Sequence, residues 1–194
     1  MNDRMKDLVD RLRALEDEIE TEIRSRRQRF RYTVENRRVV FEAGLLERHR
    51  ELRRTLRAFL AESGFLEAIT SPFIYSLIVP LALLDTFVLV YQNVCFRVYG
   101  IPLVARSRYV VIDRHRLAYL NGMEKLNCVY CGYATGVIAL AREVAARTEQ
   151  YWCPIKHAGG IRSPHDRYRD FIDYGDAEGY QERREDLRHR AREE

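Results

Sequence analysis

The sequence predicts a mainly α-helical protein attached to a membrane, and three observations carry that expectation. Apolar residues recur at helical spacing in several separate stretches. One block, Phe73 to Phe96, runs 24 residues with a single charge, Asp85. Elsewhere the chain is dense in charge: hydrophobic residues make up 46% of 194 positions and charged residues 32%, with mean hydropathy −0.40. Both figures hold together only if the two populations are segregated. That excludes a uniformly mixed globule, a collagen-like repeat and wholesale disorder.

Taken in order, the elements fall into four regions: a charged helical region (1–64), an apolar membrane-associated segment (65–104), a Cys/His module (105–158) and a charged tail (159–194). Met5, Leu8, Leu12, Leu15 and Ile19 alternate at steps of three and four, an a/d seam flanked by Asp, Glu and Arg. The seam suits a short coiled coil between copies of the chain, and equally a helix lying on its own domain. Phe30, Tyr32 and Val34, then Val39, Val40 and Phe41, suggest a hairpin within 29–42; the alternative is a continuous helix. From Leu45 to Ala61 the apolar residues again recur at helical spacing, and Ser63-Gly64 supplies a stop. Beyond the apolar block, Arg114 to Leu126 reads as one helix and about 130–149 as a second. Glu178 to Glu194 is mostly charged, a solvated helix or a disordered tail.

The apolar block is long enough to cross a bilayer, which takes about 20 apolar residues. Tyr75, Tyr91 and Tyr99 sit near its ends, as interface aromatics do. Pro80 removes a helical donor and predicts a kink. Asp85 is costly in hydrocarbon, so it either relays protons or pairs with an arginine on a partner, or it marks where a broken helix meets headgroups. Arginines flank both ends of the block, so the positive-inside bias selects no single-pass orientation and is satisfied with both flanks cytoplasmic. A single span, a re-entrant or in-plane anchor and a buried core helix are the three readings. The first two place the protein at a cytoplasmic membrane, with the Cys/His module on the cytoplasmic side.

Net charge is only +4, from 33 basic and 29 acidic residues, and no region is strongly one-signed. That argues against a nucleic-acid partner. No P-loop, GxSxG or HExxH motif is present, so the expectation leans away from an enzyme.

Four cysteines occur: Cys95, Cys128, Cys131 and Cys153. The N-terminal 22 residues lack an apolar signal core, so a reducing compartment and a metal site are expected in preference to disulfides. Cys128, Cys131, Cys153 and His157 are spaced C-x2-C-x21-C-x3-H. Zinc takes four such ligands as a tetrahedron. The expectation is a Cys128-x-x-Cys131 turn, then a helix that returns the chain to Cys153 and His157, closing a structural Cys3His zinc site. An iron–sulfur cluster on the same ligands, a redox dithiol and plain buried cysteines are the alternatives. A carboxylate site from Asp113, His115, Glu124, Glu143 and Glu149 lacks the repeated Glu-x-x-His element and fits salt bridges better.

Cys128-Val-Tyr-Cys-Gly-Tyr, and Arg147-Thr-Glu-Gln-Tyr-Trp-Cys-Pro-Ile-Lys-His-Ala after it, resemble a family of uncharacterised bacterial proteins. The resemblance covers roughly Pro72 to Ala158 and implies a bacterial origin without implying an activity. The functional expectation is a membrane-associated interaction or scaffold protein with a structural zinc site. The alternative is a redox protein, iron–sulfur or dithiol, passing electrons to a membrane partner.

Overall fold

A computed structural model describes residues 3–29, 32–35, 38–41, 45–53, 55–56, 61 and 64–193. The protein is mainly helical. It divides into two units, Met1–Thr55 with Arg116–Asn121, and Leu56–His115 with Gly122–Glu194.

In the first unit, helix α1 spans Asp3–Arg29. Its Leu12, Leu15, Ile19 and Ile23 side chains are all exposed, and the pairs Arg24–Glu20 and Arg26–Glu22, each 2.9 Å, brace its surface. Strands β1 (Tyr32–Glu35) and β2 (Arg38–Phe41) pair antiparallel, with Tyr32 opposite Phe41 and Glu35 opposite Arg38. Helix α2 covers Leu45–Glu51. The helix expected to continue toward Ala61 ends at Glu51, and Leu52, Arg53 and Thr55 are not helical; residues 54 and 57–60 lie outside the described ones. His49 meets the Tyr119 ring edge-on at 5.3 Å.

The second unit is built on two long helices. The first begins as α3 (Phe65–Ser76) and continues as α4 (Ile78–Tyr91). The regular ladder lapses at Leu77, and the Pro80 ring removes the donor that Ser76 O would otherwise accept. The helix then widens into a π-helical turn, Gln92–Phe96, and ends in one α-turn, Arg97–Tyr99. Gly100 closes it at φ +74°, a conformation that glycine enters without a Cβ penalty, while Ile101 N–H donates back to Phe96 O at 2.8 Å. The π turn holds two fully inward side chains, Gln92 and Phe96. Gln92 uses both ends of its amide on Val104: Oε1 accepts from Val104 N–H at 2.9 Å and Nε2 donates to Val104 O at 3.4 Å. Phe96 is the centre of a core with Ile101, Val104, Leu140 and Val144.

The second long helix, α5, is Gly122–Trp152. The two helices expected at 114–126 and 130–149 are therefore replaced by one, and Arg114–Arg116 forms only a 3-10 turn. Two glycines inside α5 each cost about 1 kcal/mol of helix propensity. Packing offsets that cost. A Cβ on Gly136 would lie 2.7 Å from Val110 Cα and 2.8 Å from Tyr109 O, and one on Gly132 would lie 3.1 Å from Val111 O. Gly132 and Gly136, one turn apart, thus let the backbone of residues 109–111 press directly on the helix. The connection from Gly100 runs back along α5: Pro102 O accepts from Arg147, and Tyr109 to Val111 lie against Gly136 and Gly132. Consequently α3–α4 and α5 run parallel, with Tyr75 bonding Asn127 and Tyr91 bonding Thr148 at 3.0 Å.

The tail is ordered. Ile155 and Ile172 form a bridge, with Lys156 N–H to Ile172 O at 2.7 Å and Ile172 N–H to Pro154 O at 2.8 Å. Helix α6 (Ala177–Glu193) buries Leu187 and Ala191. Its Arg188 and Arg192 donate to Tyr151 O (2.9 Å) and Tyr99 O (3.1 Å), the last carbonyls of the two long helices, where a cation also offsets the helix dipole.

Candidate functional site

The structure does not bring the four expected metal ligands together. Cys128 and Cys131 lie inside α5, one turn apart, and form no turn of their own. Cys153 follows the last residue of the same helix, and its N–H still bonds Glu149 O at 2.7 Å. At about 1.5 Å per residue, the 22 steps from Cys131 to Cys153 span about 33 Å. Zinc ligands all lie within about 2.3 Å of one ion. His157 lies further on, its N–H donating to the Tyr168 hydroxyl at 2.6 Å and its ring stacked on Tyr168. Among the described residues no three His, Cys, Asp or Glu side chains converge to hold a metal ion. All four cysteines are free thiols. Within one chain of this structure a continuous helix occupies the place of the expected return, and the four side chains stand apart.

Glu143 and Glu149 hold the tail instead. Glu143 accepts from Arg147 (2.8 Å) and Arg167 (3.3 Å). Arg167 also donates to Gln150 Oε1 at 2.7 Å, and Glu149 pairs with His165 at 3.0 Å. Burial pushes the Tyr109 hydroxyl up from its ordinary value, and the Glu143 charge adds to it.

A different polar cluster sits on the inward side of the apolar helix. Asp85 is buried at 7% exposure despite its apolar neighbours in sequence. Arg106, from the connection after Gly100, grips it twice: Nη2 to Oδ2 at 2.7 Å and Nε to Oδ1 at 3.1 Å. The Tyr133 hydroxyl donates to Oδ2 at 3.1 Å, and the guanidinium lies over the Tyr133 ring at 6.0 Å. The bond to Asp85 holds Arg106 further into its charged form, and burial, then Asp85, push the Tyr133 hydroxyl up. A bidentate arginine–carboxylate pair with a third donor satisfies the charge where it lies. Asp85 pairs with an arginine of its own chain, not with one on a partner as expected. No sequence periodicity announces Arg106, 21 residues away on the short helical turn Arg106–Tyr109. The Gly132–Gly136 spacing that seats this segment is a small-xxx-small signal that could have flagged the close approach.

The outward side of the same helix is bare. The helix Ile69–Tyr99, 31 residues, is long and apolar enough to cross a membrane, and only 6% of its most apolar window is buried. Phe73 (75% exposed), Phe87 (69%) and Val98 (77%) mark a stripe that continues through Leu83, Val90 and Val94. Contiguous apolar exposure on this scale marks an interaction surface. No family model, curated protein or solved structure matches the chain.

Proposed function

We propose that this chain is a membrane-associated interaction protein of the bacterial cytoplasmic membrane, with its N-terminal helix and its cysteine-bearing helix α5 on the cytoplasmic side. The carrying observation is the 31-residue apolar helix Ile69–Tyr99 with almost none of its apolar window buried. A core helix of a soluble protein would hide that window. Leaving it in water would cost about 25 cal/mol for each exposed apolar Å². The test is co-flotation of the full chain with lipid vesicles. The reading expects the protein at the top of the gradient, and a monodisperse protein that stays at the bottom without detergent overturns it.

The interaction half of the proposal rests on α1. Leu12, Leu15, Ile19 and Ile23 are exposed on a charged helix that buries none of residues 14–26. With Leu12 and Ile19 at a and Leu15 at d, Arg11 falls at g and Glu16 at e. A parallel pair of copies then sets Arg11 of one helix against Glu16 of the other. The occupant of the seam is a second copy of this chain, and the assembly is a membrane-bound homodimer.

A further inference from the structure

We infer that the apolar helix lies lengthwise in the surface of an anionic lipid bilayer and does not cross it, so that both ends of the chain stay on one side. This rests on the membrane reading above and specifies its geometry.

Length is the first argument. From Ile69 to Val98 the exposed stripe covers 29 helical steps, about 44 Å at 1.5 Å each. The hydrocarbon core of a bilayer is about 30 Å thick. A helix standing upright would leave about a third of the stripe outside the phase that suits it. A helix lying flat seats all of it at one depth.

The second argument is what the helix carries with it. Its inward side is bound to α5 along most of its length, through Tyr75 to Asn127, Asp85 to Tyr133, and Tyr91 to Thr148. Tyr99 also stacks on Tyr151 at 5.3 Å. An upright helix would draw this stretch of α5 into hydrocarbon, including the exposed Arg142 and the pair Glu143–Arg147. Each such charge at mid-bilayer costs about 3 kcal/mol. Lying flat, α5 stays on the aqueous side and nothing charged is submerged.

Third, the polarity is already sorted between the two sides. Asp85 faces α5 and is neutralised there by Arg106. Phe87, two residues on, faces out at 69% exposure. Arg97 and Arg108 are exposed and make no ion pair among the described residues. The exposed apolar stripe ends at the exposed Arg97, a cation that fits an interface rich in anionic phosphate headgroups.

The experiment uses the full chain in two measurements. In flotation with phosphatidylcholine vesicles and with an about 3:1 phosphatidylcholine–phosphatidylglycerol mixture, binding is expected to favour the anionic vesicles, and Phe87→Glu is expected to lower it about tenfold or more. Circular dichroism of Phe87→Glu is expected to match the parent, since Phe87 is exposed. Equal binding by Phe87→Glu, or no preference for the anionic vesicles, overturns the docking surface. In inverted membrane vesicles from expressing bacteria, protease is expected to remove epitope tags at both ends of the chain. Protection of one tag overturns the flat geometry while leaving the membrane reading in place. A chain found wholly in the soluble fraction overturns both.

Discussion

Two long helices run side by side in this protein and use their residues in opposite ways. The helix Ile69–Tyr99 is the most apolar stretch of the chain, yet it turns most of that character outward. Helix α5 carries Glu124, Lys125, Arg142, Glu143, Arg147 and Glu149, yet it supplies Val137, Leu140 and Val144 to buried positions, Leu140 without any exposure. Burial here follows shape and pairing: glycines that admit a backbone, a bidentate ion pair, and one inward phenylalanine on a π turn. Hydrophobicity alone does not decide which surface a fold keeps inside. Apolar surface beyond what the core needs is left for a second phase.

That contrast can be broken in graded steps. The largest effect is expected at the helix–backbone contact. Gly136→Leu places a side chain where even a Cβ meets the backbone of residues 109 and 110 at under 3 Å. It should cost 3 kcal/mol or more, at about the top of the overpacking range, read as a lowered thermal midpoint in detergent. Next is a pair of phenylalanines nine residues apart in sequence but opposite in burial. Phe96→Ala should cost about 3–5 kcal/mol, whereas Phe87→Ala should change folding stability by under about 0.5 kcal/mol while weakening vesicle binding. Equal destabilisation by the two would mean that the outward face is a core face.

Asp85→Ala comes third. It strands Arg106 and the Tyr133 hydroxyl, and a cost of about 2 kcal/mol is expected, reduced from a fully buried pair because Arg106 is 39% exposed. Membrane association should survive, since Asp85 faces α5. Loss of flotation with an intact fold would place Asp85 at the lipid surface instead. In α1, Arg11→Glu or Glu16→Arg alone should weaken dimerisation, and the two together should restore it. Residues five apart do not face each other on one helix, so rescue reports contact between copies. The smallest effect is expected at Lys156–Asp173, a 2.8 Å pair whose carboxylate is 78% exposed. Lys156 holds the Asp173 carboxyl below its ordinary value. Its contribution is present above the ordinary aspartate range and is lost as pH falls through the lowered value. Lys156→Met should therefore cost at most about 0.5 kcal/mol at neutral pH, and nothing once the medium is acidic enough to protonate Asp173.

The helical class was legible, because 3.6-residue periodicity and a 24-residue apolar block are properties of local sequence. So was the apolar seam of α1, but its outward orientation was not, since the same spacing suits a helix lying on its own domain. The continuity of α5 was not. Cys128-Val-Tyr-Cys131 has the spacing of a metal turn, and the same four residues make one unremarkable helical turn when the flanking residues pack. With the turn gone, Cys153 and His157 are carried to the far end of the helix. The π turn at Gln92 was equally hidden, since an extra residue in a helix leaves no compositional trace. The partner of Asp85 was visible only as one arginine among thirty. What identifies Arg106 is the return of the chain from Gly100 along Gly136 and Gly132, a tertiary fact. Docking of α6 was also obscured, because two apolar residues, Leu187 and Ala191, suffice to bury a face that composition marks as solvated.

The most direct test of the account is insertion depth along the apolar stripe. Nitroxide labels at Phe73→Cys, Phe87→Cys and Val98→Cys, each in a background with the four native cysteines replaced by serine, would be read against a bilayer containing anionic lipid. A helix lying in the surface predicts the same shallow depth at all three, about 5–10 Å into the headgroup–acyl boundary. A graded series, with the outer two labels separated by about 37 Å along the bilayer normal, would show an upright helix and contradict it.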